Sequence, residues 1–506
     1  MAHLAPSEQL GGLFVTPVVS RRQILLGLAG IGALAGLSAC GRNGGALLDP
    51  AAITSAEAAR PTSGRIRDLT LRARPVQLDL GGTVVTTWGY GDTVPGTLLR
   101  ATAGDRVKIA FTNDLPEETS VHWHGLAIRN DMDGVPGVTT TPTPAGGTTA
   151  FDFTIPHAGT HWFHPHHGMQ LDRGLYAPFI VDDPAEPGGY DHEWVLVLDD
   201  WTDGVGKSPE DIFNNLVAAG SGGDTGGMDM GGQMGGMGMG GMDGGDVAYP
   251  LYLINGRVPR DPDVLTAKPG QKVRIRIINS AADTIFTVAL GGHELSVTHT
   301  DGYAVTPVAA SSIRLGMGER YDVVATLGDG VFPFVASPLG KAGIARALVR
   351  TGPGSVPAAS YLPPEVTAFP LTADALSAAP GTALAKRDPD TVLQVALSGS
   401  MQPYVWTING RTYDQTVPLT ISQGQSGRLR ITNMSMMSHP VHLHGHTFQL
   451  GPAGGSGARK DTVLVPPMGA INVDLVADNP GQWMVHCHNA YHAEAGMMTR
   501  LDYVTA

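Results

Sequence analysis

The sequence predicts an all-β chain of three antiparallel β-sandwiches in tandem, and two observations carry that prediction. The first is composition: 506 residues hold 68 Gly and 37 Pro but only 6% aromatics. Such a surplus of turn formers favours short strands over long helices, and the length calls for two to four domains. The second is a repeat. Residues 104–113 read GDRVKIAFTN, 270–279 read GQKVRIRIIN and 424–433 read GQSGRLRITN. Each runs from Gly to Asn through alternating apolar and polar positions, the pattern of a half-buried strand. Near-equal spacing marks three copies of one unit, each the size of one sandwich.

The elements follow in chain order. In residues 1–40, Arg21 and Arg22 precede an apolar run from Ile24 to Leu37. That run is too short to span a bilayer comfortably and suits a signal peptide. The paired arginines read as a twin-arginine export signal, and LSAC at 37–40 reads as a lipobox leaving Cys40 lipidated. The expected location is the cell envelope, either lipid-anchored on the outer face of the cell membrane or periplasmic. Residues 41–65 read as a tether, 66–187 as the first sandwich and 188–352 as the second. Inside the second, 219–246 is nearly all Gly, Met and Asp, too poor in bulky residues to pack, and reads as a disordered Met-rich loop. Residues 353–391, rich in Pro, Ala and Ser, read as a linker before the third sandwich at 392–506. A net charge of −13 leaves no basic field for nucleic acid, and a monomer is expected.

Four His-x-His pairs stand out: His122/His124, His164/His166, His442/His444 and His486/His488. On a strand, residues i and i+2 share a face, so each pair offers two imidazoles side by side. Eight such rings would complete a cluster of three metal ions if the first and third sandwiches pack together. Cys487 lies between His486 and His488 and, on an extended backbone, points the other way. Its thiolate is then free to bind a different metal with His439, His492 and a weak axial Met497, the blue-copper arrangement. With Cys40 lipidated, Cys487 has no disulfide partner in a chain of two cysteines. A single His-x-His is more often a satisfied polar pair than a ligand, and zinc also takes such ligands. Zinc, however, has no redox chemistry and needs no axial Met.

The stretches HWHG, GTHWFHPHHGMQLDRGLYAPFIV, HPVHLHGHTFQL and HCHNAYHAEAGMM resemble the copper signatures of three-domain multicopper oxidases, the laccase and bacterial cuprous-oxidase family. LINGRVP and GERYDVV (318–324) resemble that family's second domain. The resemblance implies cupredoxin-like Greek-key domains and four copper ions. His122 and His442 would bind type 2 copper; His124, His164, His166, His444, His486 and His488 the type 3 pair; His439, Cys487, His492 and Met497 type 1. His161 stands where the family shows an aromatic, and is read as wall. Met497 in place of Leu or Phe implies a type 1 potential toward the lower end of the family range.

The implied reaction is one-electron oxidation of a substrate coupled to reduction of dioxygen to water. Asp133, in NDMDGVPG, matches the family's proton-relay acid, although an aspartate before Gly134 also suits a plain turn. The second family acid is replaced by Ala493, which leaves Glu494 as the substitute. Met228, Met230, Met234, Met237, Met239 and Met242 crowd one segment, and thioethers select Cu(I). Met436 and Met437 precede His439; Met437 matches a substrate-copper methionine of the cuprous oxidases, but Ser435 replaces their nearby aspartate. The preferred reading is a cuprous oxidase of copper defence. The alternatives are a laccase-like phenol oxidase with an incidental Met segment and a non-catalytic copper-sequestering protein.

Overall fold

A computed structural model describes residues 45–186, 188–220, 244–452 and 454–505. The export signal, Cys40 and the methionines from Met228 to Met242 lie outside the described residues. The segment 219–246, expected not to pack, is ordered at its described ends: 219–220 close the helix Pro209–Gly220, and the Asp246 side chain is buried where His492 and Tyr404 bind its carboxylate. Among the described residues the strands form six sheets in three pairs, of four and four, six and five, and six and five strands.

The Gly-to-Asn repeat becomes the same strand in each pair. Arg106–Asn113 runs parallel to Ile66–Asp79 and antiparallel to Thr148–Thr154. Lys272–Asn279 does so between His192–Trp201 and Arg320–Thr326, and Ser426–Asn433 between Thr391–Met401 and Ala470–Val476. The parallel neighbours arise because each unit crosses to its other sheet between strands instead of turning back as a simple hairpin.

The Gly and Asn ends shared by the three copies of the repeat have a local physical cause. Gly104, Gly270 and Gly424 all sit at positive φ, between 80° and 84°, where a side chain is disfavoured. The terminal asparagines are buried and tie each strand end to neighbouring segments, in the second and third units to a strand of the other sheet. Asn113 donates to the carbonyls of Glu117, Thr143 and Pro144, Asn279 to those of Thr284 and Leu315, and Asn433 to those of Met437, Val465 and Pro466. Each Oδ1 accepts the backbone N–H two residues on. The turns so held lead directly into the strands His122–His124 and His439–Leu443 in the outer units.

All four His-x-His motifs start on the second sheets of those outer units; His122 and His124 share a strand, while His166, His444 and His488 lie just past strand ends. His122–His124 pairs with Gly159–His164, placing His122 opposite His164. His439–Leu443 pairs with Gln482–Cys487, placing His442 opposite His486. The rings therefore start from adjacent strands.

Polar groups lock the junction of the three units. Arg320, fully buried, donates to both oxygens of Asp461 at 2.7 and 2.6 Å and to the Thr160 carbonyl at 3.0 Å. Lys460 pairs with Asp301 and Glu319, both at 3.1 Å. Asp322 takes hydrogen bonds from Arg274, Arg276 and Thr160.

The expected tether differs from what forms. Residues 51–58 make a helix, Leu48 N–H bonds the Tyr503 carbonyl at 3.0 Å, and Glu57 accepts from Thr154 N–H at 2.8 Å. Small residues allow this close docking, and the carboxylate and arginine of Glu57 and Arg60 anchor it. Residues 353–391 also pack instead of merely spanning. Isolated bridges join Leu371 to Ile313, Ala378 to Val305 and Ser377 to Gly457.

Candidate metal centres

The eight paired imidazoles converge between the first and third units. His124, His164 and His488 form one triad whose ligand atoms all lie within 4.8 Å of one another; His166, His444 and His486 form a second. His122 and His442 complete the set, grouped with His124. Rings stack across the unit boundary, His122 on His444 at 3.7 Å and His124 on His442 at 3.8 Å. Gly318 of the middle unit covers the cluster at close range. A Cβ there would meet His488 at 2.8 Å and His124 at 3.0 Å.

Hydrogen bonds fix the tautomers. The Nδ1–H groups of His164, His442 and His486 donate to the carbonyls of Pro165, Asp461 and Cys487 at 3.0, 2.9 and 2.8 Å. That of His122 donates to the Asp133 carbonyl at 3.0 Å, with the carboxylate Oδ1 3.1 Å away, and that of His444 donates to the Asp133 carboxylate at 3.0 Å. This leaves Nε2 lone pairs aimed inward, the state a metal ligand needs. Burial, reinforced by neighbouring imidazoles, holds His124, His164, His166, His444, His486 and His488 well below the ordinary histidine value.

The donor set fits cations and little else. Nε2 of His122, His164 and His442 and Nδ1 of His488 have no protein hydrogen-bond partner although buried. Nε2 of His444 and of His486 stand 3.0 Å apart, and His486 and His166 3.5 Å. Neutral imidazoles crowded tip to tip repel through their lone pairs, and bound cations remove that cost. His122, Asp133 and His444 also group within ligand reach, but Asp133 contacts the outward nitrogens. It orients the rings from behind.

Cys487 points to the opposite side. Its Sγ lies 3.6 Å from His439 Nδ1 and 3.7 Å from His492 Nδ1, and those two nitrogens are 3.1 Å apart. An ion with bonds of about 2.0 Å to nitrogen and 2.3 Å to sulfur fills a triangle of that size. Met497 is fully buried in the same core, and its carbonyl accepts from Cys487 N–H at 3.0 Å. Trp406 covers His492 with ring centroids 4.0 Å apart. Asn489 shapes the turn after Cys487: its Oδ1 accepts from Tyr491 and His492 N–H, capping the helix Ala490–Glu494.

The other candidate residues fall at different distances from the chemistry. Glu494 touches no imidazole of the cluster, but it lines a cavity of about 150 Å³ that also borders His164, His166, His486 and His488. Burial raises its carboxyl above the ordinary value. Met437 is partly buried against the core and Met436 is exposed. Ser435 Oγ bonds His439 Nε2 at 2.7 Å. His161 is buried but belongs to neither triad, in keeping with a wall position. Two acids escaped sequence reasoning. Asp461 Oδ1 lies 3.3 Å from His124 Nε2, and Asp246 Oδ2 lies 3.1 Å from His492 Nε2. Burial alone would raise the Asp461 carboxyl, yet Arg320 holds it well below the ordinary range.

Comparison with known proteins agrees with this geometry. Models described as multicopper oxidase match residues 73–186, 192–353 and 386–505. The chain is 50% identical to multicopper oxidase MmcO of Mycobacterium tuberculosis, covering 100% of both chains. It belongs to the multicopper oxidase family.

This multicopper oxidase is also 27% identical to a copper resistance protein A homolog of Pseudomonas syringae pv. tomato, over 94% of this chain and 98% of the other. Among solved structures, a multi-copper oxidase from Pseudomonas thermotolerans superposes with a TM-score of 0.67 at 27% identity. That match covers 87% of this chain and 100% of the other. The fold is therefore cupredoxin-like in several β-sheet domains, and the protein is a copper-dependent oxidase using dioxygen and a reducing substrate.

Proposed function

We propose that this oxidase couples oxidation of Cu(I) to reduction of dioxygen to water, using four coppers, as part of copper resistance. One observation carries the reading: Cys487 closes the His439/His492 triangle while its neighbours His486 and His488 belong to separate triads of the eight-imidazole cluster. Bound at these sites, copper would supply one-electron oxidation of the substrate at Cys487 and four-electron reduction of dioxygen at the cluster. His122 and His442 would hold the type 2 ion, the two triads the type 3 pair, and Met497 the axial position of type 1.

The chain's own residues supply the rest. The Cys487 peptide links to His486 and His488 are a short covalent path between the sites. Asp133 holds the His122 and His444 rings and stands within one hydrogen bond of both, a position from which a proton can reach the cluster. Glu494 offers a second acid from the cavity wall, its carboxyl raised above the ordinary value by burial.

The methionines from Met228 to Met242, with Met436 and Met437, would gather Cu(I) as substrate. Export by the twin-arginine route and a lipid anchor at Cys40 would place this activity at the cell surface, where a copper resistance role is useful. A second reading, phenol oxidation, draws on Ser435: a hydroxyl at His439, where the cuprous oxidases resembled carry an aspartate, gives Cu(I) no carboxylate.

Oxygen uptake by the copper-loaded enzyme decides between them. With Cu(I) as donor, deleting 224–243 is expected to abolish most uptake while phenol-driven uptake persists or rises. Equal Cu(I) rates with and without the segment would favour the phenol oxidase; no uptake with either donor would leave a sequestering protein.

A further inference from the structure

The middle unit supplies no residue to either triad or to the Cys487 triangle among the described residues, yet it grips the Cys487 site. Asp246 has a side-chain exposure of 2%, and its Oδ2 accepts from His492 Nε2 at 3.1 Å and from Tyr404 Oη at 2.7 Å. It is held in turn by Asp283, which accepts the N–H groups of Asp246 and Val247 at 3.1 and 2.9 Å. Asp283 also accepts from Asn489 Nδ2, the residue that caps the His492 turn. Lys341 fixes Asp283 at 2.7 Å, and Ala490 N–H bonds the Ala282 carbonyl at 2.8 Å. His492 therefore turns Nδ1 toward Cys487 and His439 while its other nitrogen is tied to a buried carboxylate of the neighbouring unit.

We propose that Asp246 is a positioning residue that fixes the His492 ring and lowers the reduction potential of the Cys487 copper site. The inference rests on the type 1 assignment above. A carboxylate accepting the far N–H of a ligand imidazole makes that imidazole a stronger donor and locks its orientation. In a buried site its negative charge also favours the more positive ion, so Cu(II) gains over Cu(I). Tyr404 modulates the effect in the opposite sense. Its hydroxyl donates to the same oxygen, drawing charge away from His492.

Redox titration of the blue absorption of the copper-loaded full chain tests this. Asp246→Asn keeps a hydrogen-bond acceptor but loses the charge. It is expected to shift the Cu(I)/Cu(II) ratio toward Cu(I) by roughly tenfold, a rise of about 59 mV for one electron. Asp246→Glu keeps the charge and is expected to stay closer to the parent than Asp246→Asn. Tyr404→Phe is expected to lower the potential, and it covers the case in which Asp246→Asn does not fold. An unmoved or lowered potential in Asp246→Asn, or an unmoved or raised one in Tyr404→Phe, overturns the inference. A parent protein without blue absorption ends the type 1 assignment and the inference with it, whereas a normal band with an unmoved potential ends the inference alone.

Discussion

Asp133 lies behind the rings it serves, joining a ligand strand of the first unit to one of the third through His122 and His444. Removing such an outer partner typically costs 10- to 100-fold in metal affinity or activity. Asp133→Ala is therefore expected to lower turnover by about 10- to 100-fold while leaving the blue absorption intact, because Asp133 touches none of His439, Cys487 and His492. Steady-state oxygen uptake beside an absorption spectrum checks it, and unchanged turnover would strip Asp133 of the role. At this scale the sequence was informative only where the signal is local. The His-x-His pairs are legible because strand alternation puts i and i+2 on one face. Asp461 and Asp246 were not. Asp461 meets His124 across 337 positions of chain and Asp246 meets His492 across 246, and no periodicity encodes which loop a neighbouring sandwich lays against a ring. Glu494 is intermediate: its place after His492 was visible, but not that it reaches the cluster only through a cavity.

The strand ending in Asn is the element on which site geometry depends. Asn433 binds the carbonyls of Met437, Val465 and Pro466 and the N–H of Ser435, so it shapes the turn from which His439 enters the Cys487 site. Asn433→Ala leaves buried acceptors unpaired, and each such loss costs about 1–3 kcal/mol. The expected result is a protein destabilised by about 2–4 kcal/mol with an altered blue band, read by denaturant midpoint and absorption at equal copper loading. A change below about 0.5 kcal/mol, the scale of an ordinary surface substitution, would show that the turn stands without it. The repeat itself was legible in the sequence as a half-buried strand. Its Asn was not legible as a tie to distant segments, since its partners lie up to 36 residues away. The helix at 51–58 and the docking of the expected tether were hidden for a related reason: small residues carry no burial pattern of their own and take the conformation their neighbours allow.

At the scale of the whole molecule, the cluster exists only while the first and third units hold their places, and buried ion pairs at the junction maintain them. Asp322 sits between Arg274 and Arg276 and accepts from Thr160 of the first unit. Burial would raise its carboxyl, but the two arginines hold it far below the ordinary range. A carboxylate depressed in the fold stabilises above its unfolded pKa, near 3.9, and that contribution fades as pH falls toward the folded value. Asp322→Asn is therefore expected to cost about 3–5 kcal/mol near neutral pH, leaving arginines buried without a counter-charge. It should also flatten the loss of stability below about pH 4. Denaturant midpoints across pH check both, and parallel curves for parent and variant would remove Asp322 from the acid response. The central claim is that one extended segment serves two metal centres, with Cys487 facing one and His486 and His488 facing the other. Anomalous diffraction at the copper edge from copper-loaded crystals tests it most directly. The expected map has a peak bounded by Cys487, His439 and His492, and separate peaks among the eight paired imidazoles. A peak shared by Cys487 and His486 or His488, or no density inside the two triads, would contradict it.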